Sequence, residues 1–128
     1  MASAVDKRVA LRGYDPVAYF TDGRAVKGTP DLQASFEDAE YHFQTADHRA
    51  MFVAAPDRYA PQYAGYCTGA IALGAVKVEA DPGAWTISDG RLFVFFAEED
   101  IADFNQHAEN TIHQADEHWR AMRDKVAP

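Results

Sequence analysis

The residues of this chain best suited to chemistry are its one cysteine, Cys67, and a histidine–methionine pair upstream of it. A thiolate is a soft ligand for Cu(I) or zinc and also a nucleophile. His48 and Met51 stand three residues apart, so on a helix they occupy neighbouring positions, and their imidazole and thioether groups also suit copper. The candidate metal ligands are Cys67, His48, His42 and Met51.

Each of these side chains also has a purely structural interpretation. A free cysteine is often a small buried hydrophobe, and methionine commonly fills gaps in a core. His48 could equally cap a helix or lie at the surface. His42 alternates with Tyr41 and Phe43, so it points away from the sheet face that those aromatic residues would bury. Both interpretations, a site and a scaffold, therefore stay open for this set.

Three tyrosines near glycine-containing turns could line a ligand pocket or tie loops together, since a buried tyrosine needs a polar partner. They are Tyr14, Tyr63 and Tyr66. The C-terminal histidines are weaker candidates, because His107 and His118 are separated by roughly 16 Å along a helix. We expect them and His113 to be surface or boundary residues. The acidic residues of segment 98–103 are interpreted as a favourable first helical turn.

The sequence lacks the short motifs that identify common enzymes and metal sites. It has no Cys-x-x-Cys, no His-Glu-x-x-His, no phosphate-binding loop and no Gly-x-Ser-x-Gly. It also shows no internal repeat and no low-complexity segment. A binding protein is therefore favoured over an enzyme, and an enzyme stays open as an alternative.

Two β-hairpins are predicted to form the sheet structure. Strands over 33–36 and 41–43 flank a polar turn, and strands over 85–88 and 91–95 flank Asp89-Gly90, a strong hairpin signal. The sequence Asp81-Pro82-Gly83 is predicted to be a turn.

Helices are predicted between and after these hairpins. Asp15 precedes Pro16 as a helix N-cap, and Thr45 or Asp47 caps the next helix. An apolar stripe from residue 101 to 122 predicts one C-terminal helix of about 25 residues. The predicted fold class is α+β: a small single domain, 1–128, with two β-hairpins, short helices and a long C-terminal amphipathic helix, and with residues 1–8 as a flexible N-terminus.

The formal net charge of −8 argues against nucleic acid as a partner and against anionic membrane surfaces. No segment has the apolar length of a membrane span or of a signal peptide, so we expect no membrane insertion and a cytoplasmic location, or a periplasmic one if a leader has been removed. The C-terminal helix, with Trp119 near its end, could serve a homo-oligomer.

The chain resembles the YHS domain family, and most of all its small stand-alone bacterial members, many of which are secreted. The matching segments are 13–20, Tyr41-His42-Phe43 with Arg49 and Phe52, 56–59, 61–67 and 81–85, and the resemblance covers roughly residues 10 to 120. It implies metal binding, because YHS modules occur beside copper-transporting ATPases. The chain departs from the metal-associated pattern, with Gln44 and His48 where cysteines would stand, while Cys67 is typical of the stand-alone branch.

Three functions follow from these observations. The first is a small copper- or zinc-binding accessory or sensor module. The second is a metal-free module that binds a protein or a small ligand, with Cys67 and the histidines structural. The third is a thiol-dependent enzyme that uses Cys67 as its nucleophile and a histidine as base.

Overall fold

The computed structural model describes residues 7–124, whose helices and strands form an α+β fold, as predicted. The strands are β1 (Arg8–Val9), β2 (Thr29–Phe36), β3 (Ala39–Phe43), β4 (Asp81–Ser88) and β5 (Arg91–Phe95). The helices are α1 (Ala18–Thr21), α2 (Ala46–Ala54), α3 (Pro56–Tyr59), α4 (Thr68–Gly74), α5 (Glu99–Gln106) and α6 (Ala108–Asp124). Residues 1–6 of the predicted flexible segment lie outside the described residues, whereas Arg8 already pairs with β3.

The chain divides into two compact units, a first unit that ends at Ala60 and a second unit that begins at Pro61. The prediction of one domain over 1–128 stays a prediction. In the first unit β3 lies between β1, which runs parallel to it, and β2, which runs antiparallel. Phe52 of α2 packs on this sheet, with its ring centroid 5.0 Å from that of Tyr41 and 5.2 Å from that of Phe43. These three buried rings form the centre of the unit.

The second unit places helices against the antiparallel hairpin β4–β5. Phe104 of α5 packs on the hairpin, with its ring centroid 5.1 Å from both Phe93 and Phe95. Ala115 of α6 and Ile71 of α4 are fully buried in the same cluster. Both predicted hairpins are confirmed, since β2 pairs antiparallel with β3 and β4 pairs antiparallel with β5.

The predicted long C-terminal helix is present as α6, but its predicted length of about 25 residues is wrong, because the apolar stripe is divided between α5 and α6. The chain leaves helical geometry at His107, where φ is −132° and ψ is 30°, and two helices result. The carbonyl of His107 accepts the amide hydrogen of Thr111, which starts α6. The break lets Phe104 pack on the hairpin and Ala115 pack in the core on a separately oriented helix, so tertiary packing overrides a continuous apolar stripe.

The turn predicted at Asp81-Pro82-Gly83 was also wrong, because these residues begin β4. Asp81 stands opposite Phe95, and the register is irregular between Asp81 and Trp85. An irregularity of this kind accommodates residues that a regular strand disfavours.

The two units repeat one backbone design, with equivalent residues 52 positions apart in the sequence. The clearest sign is the set of residues with positive φ, an uncommon conformation for residues other than glycine. Among the described residues these form six pairs at that separation: Leu11 and Tyr63, Arg12 and Ala64, Gly13 and Gly65, Gly23 and Ala75, Glu37 and Asp89, and Asp38 and Gly90.

Hydrogen bonds and strand register follow the same correspondence. The amide of Asp15 donates to the carbonyl of Val26 over 2.8 Å. Likewise, the amide of Cys67 donates to the carbonyl of Val78 over 2.8 Å. Both hairpins have their register irregularity at equivalent places, between residues 29 and 33 and between residues 81 and 85. The prediction that the chain has no internal repeat was therefore wrong at the level of the backbone.

The repeat escapes sequence inspection because few side chains preserve it. From Arg8 to Phe52, the residues that recur unchanged 52 positions later are Gly13, Tyr14, Ala18, Val26, Pro30, Phe43, Ala50 and Phe52. They are scattered: Ala18, Val26, Phe43 and Phe52 are buried, whereas Pro30 and Ala50 are exposed. Backbone conformation and core packing tolerate many substitutions of similar volume.

Candidate functional site

The second unit contains a cavity of about 220 Å³ beside the start of α4. Its walls come from α4, β5, α5 and α6. Its lining includes Cys67 just before α4, Gly69 and Ala72 in α4, and Asp100 and Asp103 from α5. This volume is below the roughly 300–1,000 Å³ of sites for drug-sized ligands, so the cavity suits a small molecule.

Cys67 is held at the wall of this cavity by its backbone. Its amide donates to the Val78 carbonyl, and its Sγ accepts the Phe96 amide hydrogen over 3.3 Å. Cys67 is only 4% exposed. A Cβ added at Gly69 would lie 3.9 Å from the sulfur, in van der Waals contact with it, so the glycine leaves that space free. The thiol is thus buried from bulk solvent while it lines the cavity.

Asp100 and Asp103 give the cavity an acidic edge. Both are exposed, and they lie three residues apart on α5, so their carboxylates share one side of the helix. In the sequence these residues fit a favourable first helical turn, and Asp100 does stand in that turn. Nothing in the sequence indicates that both carboxylates reach the cavity of Cys67, because that depends on how α5 packs.

The equivalent place in the first unit is occupied by a buried carboxylate, that of Asp15. Its Oδ1 accepts the amide hydrogens of Val17 and Ala18 over 2.9 and 3.3 Å, although α1 begins only at Ala18, later than predicted. Its Oδ2 accepts the Gln44 amide hydrogen over 2.9 Å and lies 2.7 Å from Nδ1 of His48. An ionised carboxylate only accepts, so His48 donates through Nδ1. Asp15 is fully buried by this ring of donors.

The predicted metal ligands of the first unit have other contacts. His48 lies near the start of α2, where Thr45 is the N-cap, and its Nε2 is 3.3 Å from Oγ1 of Thr21. His42 lies 2.6 Å from Glu40 through its Nε2. Met51 is half-buried on α2. The two histidines are thus each paired with a carboxylate, that of Asp15 or of Glu40.

The predicted pocket tyrosines are likewise engaged within their own units. Tyr63 is buried and donates its hydroxyl to Asp116 over 2.8 Å. Tyr66 packs 6.1 Å from the ring of Trp119. Lys27 Nζ lies 5.7 Å from the ring of Tyr14. The cavity beside Cys67 is lined by other residues, so the role of these tyrosines as ligand contacts stays a prediction.

Metal binding also stays a prediction. Within residues 7–124, no group of three or more His, Cys, Asp or Glu side chains is arranged to hold a metal ion. In the same part of the chain, no helix combines the length and apolar character needed to cross a membrane. Comparisons with protein-family models, with curated proteins and with solved structures found no match.

The buried Tyr63 predicts a loss of stability in alkaline solution. Burial, followed by its hydrogen bond to the Asp116 carboxylate, raises the pKa of Tyr63 well above its ordinary value of about 10. The folded state therefore keeps a proton that the unfolded chain releases, so the free energy of unfolding falls as pH rises above about 10. Urea denaturation between about pH 8 and 11 measures this slope, which Tyr63→Phe should make shallower. An unchanged slope in that variant would contradict the assignment.

Proposed function

We propose that the chain is a small-ligand-binding module whose site is the Cys67 cavity of the second unit. The observation that carries this proposal is one cavity of about 220 Å³ that a thiol and two carboxylates line together with apolar side chains. Ligand sites are typically apolar concavities with a few convergent polar groups. The dimensions favour a ligand of the size of a small metabolite.

The negative charges at the edge of the cavity favour a positively charged ligand. Asp100 and Asp103 are acidic and exposed, and the chain as a whole has a formal net charge of −8. A small cation would gain Coulomb energy at this edge, whereas an anion would be repelled. Phe95 and Phe104 supply apolar wall behind the charges.

A soft metal ion is the second candidate, as the family resemblance implies. Its support is that the Cys67 thiol shares the cavity with two carboxylates. The carboxylates are hard ligands that soft ions bind poorly, so we rank this candidate below an organic cation. A thiol-dependent enzyme ranks third, because the described residues that line the cavity include no histidine to act as base.

The proposal is tested by titrating the protein with propylamine and with the uncharged propanol, following the amide resonance of Phe96 by NMR. We expect propylamine to shift this resonance and propanol to bind more weakly. The double variant Asp100→Asn, Asp103→Asn should weaken propylamine binding roughly threefold to tenfold, since exposed ion pairs are individually modest. Glu98→Gln with Glu99→Gln is the matched control and should leave binding unchanged.

Several results would contradict the proposal. If neither propylamine nor propanol shifted the Phe96 resonance, the proposal would be overturned. Equal losses of propylamine affinity in the two double variants would also overturn it. Stoichiometric binding of Cu(I) or Zn(II) that Cys67→Ser abolishes would assign the cavity to a metal ion instead. The cytoplasmic location and the homo-oligomer through the C-terminal helix stay predictions, and Trp119 packs against Tyr66 within its own unit.

A further inference from the structure

The internal repeat allows the cavity of the second unit to be compared with the same place in the first. Asp15 is equivalent to Cys67, and His48 is equivalent to Asp100. The correspondence extends to the bonds, since the Gln44 amide donates to Asp15 and the Phe96 amide, 52 positions later, donates to the Cys67 sulfur. The two sites are therefore versions of one arrangement.

The first unit fills this place with its own side chains. The imidazole of His48 extends from α2 to Asp15, and the side chain is only 13% exposed. Val17, fully buried, stands where the second unit has Gly69. Phe20 stands where the second unit has Ala72. In the second unit Gly69, Ala72 and Asp100 are all smaller than their counterparts, and they line the cavity.

Building on the proposed function, we propose that the ligand of the Cys67 cavity is a small imidazole or a similar N–H heteroaromatic base. Such a ring would occupy the space that the His48 imidazole occupies in the first unit. A ring N–H would be donated to the Cys67 sulfur, as His48 Nδ1–H is donated to Asp15. The Asp100 and Asp103 carboxylates favour the protonated ring and any cationic substituent it carries.

Ligand selectivity tests this inference separately from the proposed function. We would titrate the protein with 4-methylimidazole, the analogue of a histidine side chain, and with histamine, which adds an ammonium group. Propylamine is the matched cation without a ring. We expect 4-methylimidazole and histamine to shift the Phe96 amide resonance, with histamine binding about tenfold more tightly than propylamine. Propylamine binding as tightly as histamine would overturn this inference and leave the proposed function standing. No binding by any of the three would overturn both.

Substitutions that restore first-unit residues provide the second test. Asp100→His places an imidazole on α5 at the position of His48, and Gly69→Val fills the space that Val17 fills. Each should weaken histamine binding about tenfold or more, because the added side chain competes for the cavity. Glu99→His, one residue away and outside the cavity lining, is the matched control and should bind like the unmodified protein.

Folding of these variants can be monitored independently of binding. Gly69→Ala adds only one methyl group at ordinary contact distance and improves helix propensity in α4, so it should fold at least as well as the unmodified protein. It should weaken histamine binding less than Gly69→Val does. Full histamine affinity in a folded Asp100→His protein would contradict the inference.

Discussion

Replacement of Asp15 by alanine is expected to lower the free energy of unfolding of the first unit by about 3–5 kcal/mol. The carboxylate is fully buried, and three hydrogen bonds at 2.7–2.9 Å converge on it from the Val17 amide, the Gln44 amide and the His48 ring. The alanine variant would leave the buried Val17 amide and the largely buried His48 ring without their acceptor, which costs more than the lost bonds contribute.

Urea denaturation measures this effect, and two further variants define its origin. Asp15→Asn keeps the shape and one acceptor oxygen, so its loss should be intermediate. Asp22→Ala removes an exposed carboxylate that accepts only the Thr21 hydroxyl among the described contacts, and it should cost less than about 1 kcal/mol. If Asp15→Ala were no more destabilising than Asp22→Ala, the buried network would not hold the unit together.

Gly28→Ala is the second substitution with a large expected effect, about 3 kcal/mol of destabilisation. A Cβ at this position would lie 2.5 Å from the carbonyl carbon of His42 and 2.7 Å from the amide nitrogen of Phe43. These are backbone atoms of β3 and cannot rotate away, so the strand itself would have to move. The Gly28 amide also donates to the Gly13 carbonyl over 2.9 Å, and that bond would be disturbed.

The measurement is again the free energy of unfolding, with Gly69→Ala as the comparison. At Gly69 an added Cβ meets only the sulfur of Cys67, at 3.9 Å, so alanine should be neutral or stabilising. A second sign is expected in the spectra, where Gly28→Ala should shift the amide resonances of β3 near His42. A stable Gly28→Ala protein with unchanged β3 resonances would contradict the close approach.

Local sequence signals were sufficient for the hairpins and the first helix caps. Asp89-Gly90 predicts its turn because that turn needs positive φ at both residues, and the structure has φ of 54° and 79° there. Thr45 caps α2 through its hydroxyl, which accepts the His48 amide hydrogen. These features depend on residues close together in the chain, so the sequence alone can specify them.

The features that the sequence did not predict depend on packing between distant residues. The break between α5 and α6 at His107 is not marked by a proline or a glycine in the sequence. The cavity joins Cys67 to Asp100, 33 positions later in the sequence, and its open volume results from the small side chains of Gly69 and Ala72. No pattern of residue types within one segment signals such a convergence. The metal set of Cys67 with His42, His48 and Met51 follows from residue type, from the spacing of His48 and Met51, and from the family resemblance, and it stays a prediction.

The repeated backbone design has an evolutionary consequence. A chain of two equivalent units is what the duplication and fusion of a shorter gene leaves behind, and from then on selection can act on each copy separately. One copy here has a buried Asp15–His48 pair at the shared place, so its mutations are constrained by stability. The other copy has Cys67 and an open cavity at that place, so substitutions that line the cavity are expected to cost less stability than substitutions of Asp15 or His48.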